Sequence, residues 1–597
     1  MTPRGFTLLK KKFIQYFFPT VFACMAVLCG SIVDGIIVGN LIGSNAMAAV
    51  ALALPLPLAV QALYMLVGVG GSTLVSHIKG EATANGDGGQ KPNEVFTVGV
   101  AFLVVIGLVF TALCFLLKRP ILQILCSDAT LYDLLDAYFT TLLYGTPFLI
   151  FVLGMVYFIR VDGFPTFSAA LLLVANAVNL VMDIVNIAVF RMGIAGAAAA
   201  MNVGYLVSLV LILLFYFGSR KRGFRLAAPQ SGALRYVGQI CKVGSSSCVS
   251  TMLLFIKTLC INTIVLATAG APGMTAFSVC SFCLSLLSML DSGSSETMTP
   301  MVATLYGVKD AAGIRYIVQK SLQIVTVAGL AATALLWIFT PQVLLVFGVR
   351  DAATVAIGIS AVRLYAVSLL FMGINFVIMN YMQSVSQTRV ALTVSILRGA
   401  VLIIPAAWLF SAWFGTVGIW CAFIFAEVGT LACTLLVCWA IQRRSHGAYQ
   451  NFLLLDRAFY NAVLFDTTVL PDEASIAAAV AEVEKQCTAQ CLAPQDIQYV
   501  CMFTEDICNA VAEFNGPALK DGIDVLCRIG REDAVLSFRD DGAPFDPARY
   551  NERVAQPSNM DIVQKIAASM TWTRMIGLNN TTVVLPLHPH ACQEVPQ

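Results

Sequence analysis

Charge is scarce in this chain. Lys, Arg, Asp and Glu make up 12% of the 597 residues while hydrophobic residues make up 58%, a balance that excludes an ordinary soluble globular protein. The net charge of +2 comes with dispersed basic residues, so nothing points to a nucleic-acid partner. Histidine is rarer still: His77, His446, His588 and His590 are the only four, and no cysteine pairs cluster near them, so no metal site is expected. Cysteine itself is plentiful, but Cys24, Cys29, Cys421, Cys433 and Cys438 lie singly inside apolar runs. They read as small core hydrophobes in a reducing or lipid setting. No G-x-x-x-x-G-K-[ST] sequence is present, which excludes a P-loop transport ATPase. No small-residue cleavage site follows the first apolar run, which continues to Asp34, so that run is expected to be a spanning helix and not a cleaved signal peptide.

What the chain has is apolar length. Runs of about 20 or more residues fall near 13–38, 47–77, 94–117, 131–158, 165–190, 193–218, 236–267, 272–305, 315–340, 352–384, 389–414 and 416–442. The expected fold class is an all-α polytopic membrane protein with twelve spans. Lys10, Lys11, Lys12, Lys79, Lys91, Arg220, Lys221, Arg222, Arg225, Arg443 and Arg444 collect on one side of these spans, against Lys118, Arg119, Arg191 and Arg350 on the other. Both termini are therefore expected in the cytosol.

The spans repeat. Thr166 and Thr388, Gly193 and Gly415, and Gly196 and Gly418 each differ by 222 positions, and LVSHIKG ending at Gly80 is echoed by MVATLYG ending at Gly307. Two parallel six-helix lobes, residues 1–225 and 226–445, are expected around a shared cavity, a common transporter plan.

One polar stripe interrupts the apolar text. In NAVNLVMDIVN, Asn176, Asn179, Asp183 and Asn186 stand at i, i+3, i+7 and i+10, within about 80° of one another on a helix. An ionisable group in hydrocarbon is costly and survives where it faces protein or a water-filled cavity. Asp183 is thus the first functional candidate, with Asp34 in the first span as its companion. Two carboxylates facing one cavity can bind and release H⁺ or Na⁺. Asn176 and Asn186 are either cavity polar groups or helix-packing hydrogen bonders. Lys257, Asp291, Arg363 and Glu427 are explained by helix-end snorkelling about as well as by substrate contact.

VDGIIVGNLIGSNAMAAVALALPL, the N-x-x-N-x-x-x-D pattern ending at Asp183, RMGIAGAAAA and TVGIW together resemble the multidrug and toxic compound extrusion (MATE) family over residues 10 to about 442. The resemblance implies a twelve-helix, two-lobe exporter that exchanges H⁺ or Na⁺ for organic, often cationic or amphipathic compounds. Asp34, Asn179 and Asp183 would form its cation site. Met201 stands where many relatives carry a coordinating Thr, so the ion stays open. The region SSSCVSTMLLFIK offers only Lys257 where other relatives carry a second-lobe carboxylate, and no second site is assigned.

Beyond Arg444 the spans stop. Residues 455–590 read as a small cytosolic α/β domain: a strand AVLFDTTVL, helices at 473–488 and 494–514, strands IDVLCRIG and AVLSFRD, a helix near 559–570, then TWTRMIG and TTVVLPL joined by a turn LNN. Glu505 and Asn509 share one helix face, and Asp540 with Gly542 ends a strand, where an Asp can accept from an exocyclic amine and a Gly lets backbone approach a flat base. These pairs resemble the E-x-x-x-N and D-x-G boxes of GHKL ATPases, most closely the anti-sigma-factor serine-kinase branch. The resemblance implies Glu505 as general base, Asn509 as the Mg²⁺ ligand and Asp540 as the adenine reader of Mg-ATP, with a small regulatory protein as partner. The chain departs at SNMDIV, where Asp561 opposes phosphate at a helix N-terminus.

The function expected is a cation-coupled plasma-membrane antiporter for small organic molecules, surrounded by lipid bilayer and carrying a regulatory nucleotide-binding domain. The alternatives are a membrane-tethered serine protein kinase or nucleotide sensor, and a lipid-linked precursor flippase. A flippase calls for a more basic central cavity, whereas the deepest charges read from the sequence are acidic.

Overall fold

The computed structural model describes residues 5–42, 49–50, 52–53, 55–84, 91–125, 129–218, 223–228, 232–346, 351–445, 447–457, 463–515, 519, 521–530, 533–547 and 560–588. The first lobe comprises α1 (Thr7–Leu41), α2 (Pro55–Ala84), α3 (Lys91–Leu116), a short α4 (Lys118–Leu125), α5 (Ala129–Val161), α6 (Pro165–Ile184) and α7 (Ile194–Gly218). The second comprises α8 (Ala233–Gly307), α9 (Ala311–Ile338), a short α10 (Thr340–Val346), α11 (Ala352–Ser384), α12 (Thr388–Ile396) and α13 (Ile403–Arg444). Ten segments among the described residues are long and apolar enough to cross a membrane. The difference from twelve lies in two places. Thr388–Arg444 counts as one segment but turns at Gly415, where φ is +60°, and the ten do not include the 35-residue apolar α1.

Glycine makes these breaks because φ > 0 costs it no Cβ clash. Gly270 (φ +60°), followed by Pro272, divides α8 into an outgoing and a returning span. Gly193 and Gly415, equivalent in the sequence repeat, both adopt φ +60°. Each lobe also carries a π-helical turn shortly before that glycine, at Val185–Val189 and at Leu397–Val401.

The lobes meet through α2 and α8. A Cβ on Gly80 would lie 2.6 Å from the Cα of Gly307, so the two repeat-equivalent glycines are the point of closest approach at one end of the bundle. A second glycine pair, Gly70 and Gly244, lets α2 and the first half of α8 touch backbone to backbone. His77 of α2 reaches the end of α11, where its ring bonds the Ser384 carbonyl and the Ser386 hydroxyl.

The C-terminal domain sits on that same end. Its five-stranded antiparallel sheet has the order β3 (Val463–Val469), β4 (Ile523–Ile529), β5 (Asp533–Asp540), β7 (Leu578–Pro586), β6 (Ser569–Met575), after a small hairpin of β1 (Tyr449–Gln450) and β2 (Leu455–Asp456). Helices α14 (Glu473–Ala489), α15 (Pro494–Asn515) and the short α16 (Met560–Ile566) complete it. Ile476, Val483, Phe503 and Ile507 of the helices share a core with Val525, Leu536 and Val583 of the sheet. The β6–β7 turn is Ile576–Gly577, both with positive φ, and not LNN: Asn579 and Asn580 are strand residues paired with Asp540 and Arg539. The sheet then joins the membrane region. Arg539 Nη1 donates to Asp310 Oδ2 at 2.6 Å in a buried pair, while Asp310 Oδ1 caps α9 by accepting from Gly313. Met575, Ile576 and Leu578 enter a core with Leu8, Phe13, Tyr16, Met298 and Val302. Lys11 bonds Asp521 and Asp541.

Candidate functional site

The asparagine stripe divides into two chemical roles. Asn176 Nδ2 donates to Leu172 O at 2.8 Å within its own helix, and Asn186 Nδ2 donates to Gly196 O at 3.1 Å at the start of α7. The Asn186 bond ties two helices together, whereas the Asn176 bond stays within one. Asn179 and Asp183 are buried, and Asn179 Nδ2 donates to Asp183 Oδ2 at 3.2 Å. A carboxylate beside a neutral amide oxygen is a donor set suited to a proton or a hard cation. Asp34 lies on α1, which packs against α6, but its side chain lies outside the described residues.

The stripe does not line the principal cavity. That cavity, of about 430 Å³, lies between the lobes, and its size suits a small organic ligand. Its walls come from α2, α5, both halves of α8, α11 and the α12 region, and its charged lining is Arg160, Lys257, Asp291, Glu296 and Arg398. Three of these five are basic, against the expectation that the deepest charges are acidic. Lys257 and Asp291 are also not at helix ends, because α8 runs on well past each of them. Snorkelling from a helix end therefore explains neither, and Arg363, although exposed, also lies inside its helix.

The cavity charges are paired unequally. Arg160 Nη1 of the first lobe donates to Glu296 Oε2 of the second at 2.8 Å, an ion pair that ties the lobes together. Arg398 approaches Glu427 Oε1 at 3.4 Å, while the other oxygen of Glu427 accepts from Asn375 at 2.8 Å. Arg398 escaped the sequence reading, yet a signal existed: at the repeat offset it stands opposite Asn176 of the stripe.

In the C-terminal domain Glu505 and Asn509 are exposed on one face of α15. Asp540 is buried and already engaged, its Oδ1 accepting from Gly542 N at 2.9 Å and from Asn579 Nδ2 at 2.8 Å. Burial pushes its carboxyl up, opposed by those two donors. Gly542 is needed because a Cβ there would strike the Asn515 side chain. Asn515 lies on α15, six residues and roughly 9 Å beyond Asn509, so the helix carrying one box passes beside the loop carrying the other. Phe545 of the PFDP segment stacks on Phe514 at 4.1 Å between ring centroids. Asp561 falls in the first turn of α16.

Two lobes that share a repeat and line a mainly apolar cavity carrying a few charged side chains, within an apolar helical bundle, define a polytopic membrane transporter. The MatE family profile matches residues 19–185 and 247–409, more than half of the chain. The chain belongs to the MatE family. Multidrug export protein MepA of Staphylococcus saprophyticus is 24% identical over 421 residues, covering 68% of this chain and 89% of the relative. The MepA protein of Staphylococcus haemolyticus is 21% identical over 439 residues, covering 73% and 94%. Among solved structures, a variant of the Vibrio cholerae MATE transporter VcmN superposes with a TM-score of 0.67 at 18% identity, covering 75% of this chain and 99% of that one. A MOP superfamily transporter from Pyrococcus furiosus gives 0.67 at 21% identity, covering 75% and 100%. At these identities the structural likeness speaks to the fold.

Proposed function

We propose that this protein is a secondary active exporter of small organic, amphipathic compounds, driven by the inward movement of H⁺ or Na⁺ across the plasma membrane. The observation that carries the reading is the inter-lobe cavity, closed at the domain-bearing end by the Gly80–Gly307 approach. Export by the MepA relatives, as their name states it, supports the direction of transport. In this reading the domain-bearing end and both termini face the cytosol, so the closed contact is the cytosolic gate and the cavity serves the outward side.

Asp183 and Asn179, with Asp34 from α1, are the coupling site. Loading this site from outside neutralises Asp183, removes its hold on neighbouring dipoles and favours the state that has released substrate. The test is reconstituted exchange of substrate against H⁺ or Na⁺. Asp183→Asn and Asp34→Asn are expected to abolish coupling, and unchanged stoichiometry in both would overturn the assignment.

The C-terminal domain regulates and does not energise. It contacts the start of α1 and the Asp310 loop at once, a position suited to restraining the lobes. Mg-ATP would engage Glu505, Asn509, Asp540 and Gly542, and would have to compete with Asn579 for Asp540. Calorimetric titration of the full chain with Mg-ATP tests this: no heat of binding leaves the domain a scaffold.

A further inference from the structure

Two positive charges in the inter-lobe cavity, Lys257 and Arg398, are held only loosely by carboxylates, and export of an organic cation gives them no task. Arg160 is spoken for by Glu296. Among the described residues Arg398 has the 3.4 Å approach to Glu427, whose other oxygen Asn375 holds, and Asp291 within electrostatic reach, and it carries five N–H donors with which to bind more. Lys257, half-buried on the first half of α8, forms no ion pair among the described residues. Lys257 and Arg398 line the same cavity and lie close enough to repel each other. We infer that Lys257 and Arg398 form an anion subsite in this cavity, and that its ligand is an amphiphile bearing an acidic group, a carboxylate or a phosphate.

The geometry suits both ends of such a molecule. An acidic head between an ammonium and a guanidinium forms charge-assisted hydrogen bonds and removes the repulsion between them. Met65, Leu254, Leu284, Met372 and Phe376 line the rest of the cavity and offer an apolar bed for the body of the ligand. Asp291, buried on the returning half of α8 and within electrostatic reach of Arg398, gives the cavity an opposite pole. A zwitterion therefore fits as well as a simple anion. A lone cation can use Asp291 but must then lie in the field of both Lys257 and Arg398. The inference rests on the export reading for placing the substrate in this cavity, but binding can be read without transport.

The experiment uses the detergent-purified full chain and fluorescence anisotropy with three probes: carboxyfluorescein as a soluble anion, rhodamine 6G as a cation of like size, and NBD-labelled phosphatidylglycerol as an anionic lipid. At least one acidic probe is expected to bind about tenfold tighter than rhodamine 6G, the scale of one charge-assisted contact. The probe that does so tells a soluble acid from a lipid headgroup. Lys257→Met is expected to erase that advantage, weakening the acidic probe while rhodamine 6G binds no more weakly than before. Arg398→Lys keeps the charge but loses the fork, and should cost a smaller factor of about three. Equal or tighter binding of rhodamine 6G, or acid binding that ignores Lys257→Met, overturns the inference. If rhodamine 6G is exported against H⁺ while neither acid binds, the subsite fails and the exporter stands. If reconstituted protein moves none of the three, the export reading fails by itself.

Discussion

Asp162 follows α5 and holds the chain that joins the two lobes. Its Oδ2 accepts from Gly223 N at 3.1 Å, and Lys79 lies 4.8 Å from the centroid of the adjacent Phe224 ring. Burial pushes the Asp162 carboxyl up to about 6, against the pull of Lys79 and the amides of Gly223 and Phe224. Between pH 4 and 6 the folded state therefore binds more protons than the unfolded state at this position, and stability falls as pH rises through that window, flattening above it. The loss is on the order of 3 kcal/mol. Thermal melts in detergent from pH 4 to 7 should show this slope, and Asp162→Asn should remove it. Sequence reading reached Asp183, Asn179, Lys257 and Asp291 because a polar residue in an apolar run is visible in one dimension. It could not say that Arg160 and Glu296, 136 positions apart, would pair, because that pairing depends on how two lobes meet.

At the scale of the element, α2 and α8 form the lobe-to-lobe contact that the sequence repeat had marked. Their glycines at positions 80 and 307 admit a backbone approach that any side chain would prevent. Gly80→Leu is predicted to force the gate apart, shifting the population toward an arrangement in which this end is open. Labelling of a cysteine introduced at Thr304 by a membrane-impermeant thiol reagent, applied to inside-out vesicles, should then rise several-fold, and unchanged labelling would count against a gate at this contact. The Arg160–Glu296 pair belongs to the same closure. Glu296→Gln leaves the buried Arg160 guanidinium without its carboxylate partner, so it should favour the open gate in the same assay. Helix periodicity and Gly–Pro punctuation made these elements legible, including the turns at Gly270 and Gly415. The β6–β7 turn was misplaced because Asn pairs usually signal a turn, whereas here Asn579 and Asn580 are claimed by Asp540 and Arg539 across the sheet.

For the whole molecule, the C-terminal domain and the membrane lobes are one mechanical object in this state. Arg539 of the sheet is buried against Asp310, and Lys11 at the start of α1 holds Asp521 and Asp541 from the domain side. Separation of the lobes must strain or release these contacts. Arg539→Met is predicted to loosen docking by a few kcal/mol, since it removes the buried Arg539–Asp310 ion pair that joins the sheet to the membrane region. Hydrogen exchange in 523–529 and 578–586 should accelerate in that variant while exchange in the helices far from the domain stays unchanged. A transport rate that rises at the same time would identify the domain as a brake.

The sequence by itself determined the membrane, the two repeated lobes, the breaks between spans and the elements of the appended domain, because hydropathy, period and glycine–proline grammar are local properties of the chain. Tertiary structure decided which polar groups share a space. It tied Asn186 to α7 and Asn176 to its own helix, gave Asp540 to Asn579, and brought Lys257 and Asp291 from the two halves of α8 to one cavity with Arg398. Charge in a low-dielectric interior is judged by its neighbours, and those neighbours are distant in the chain.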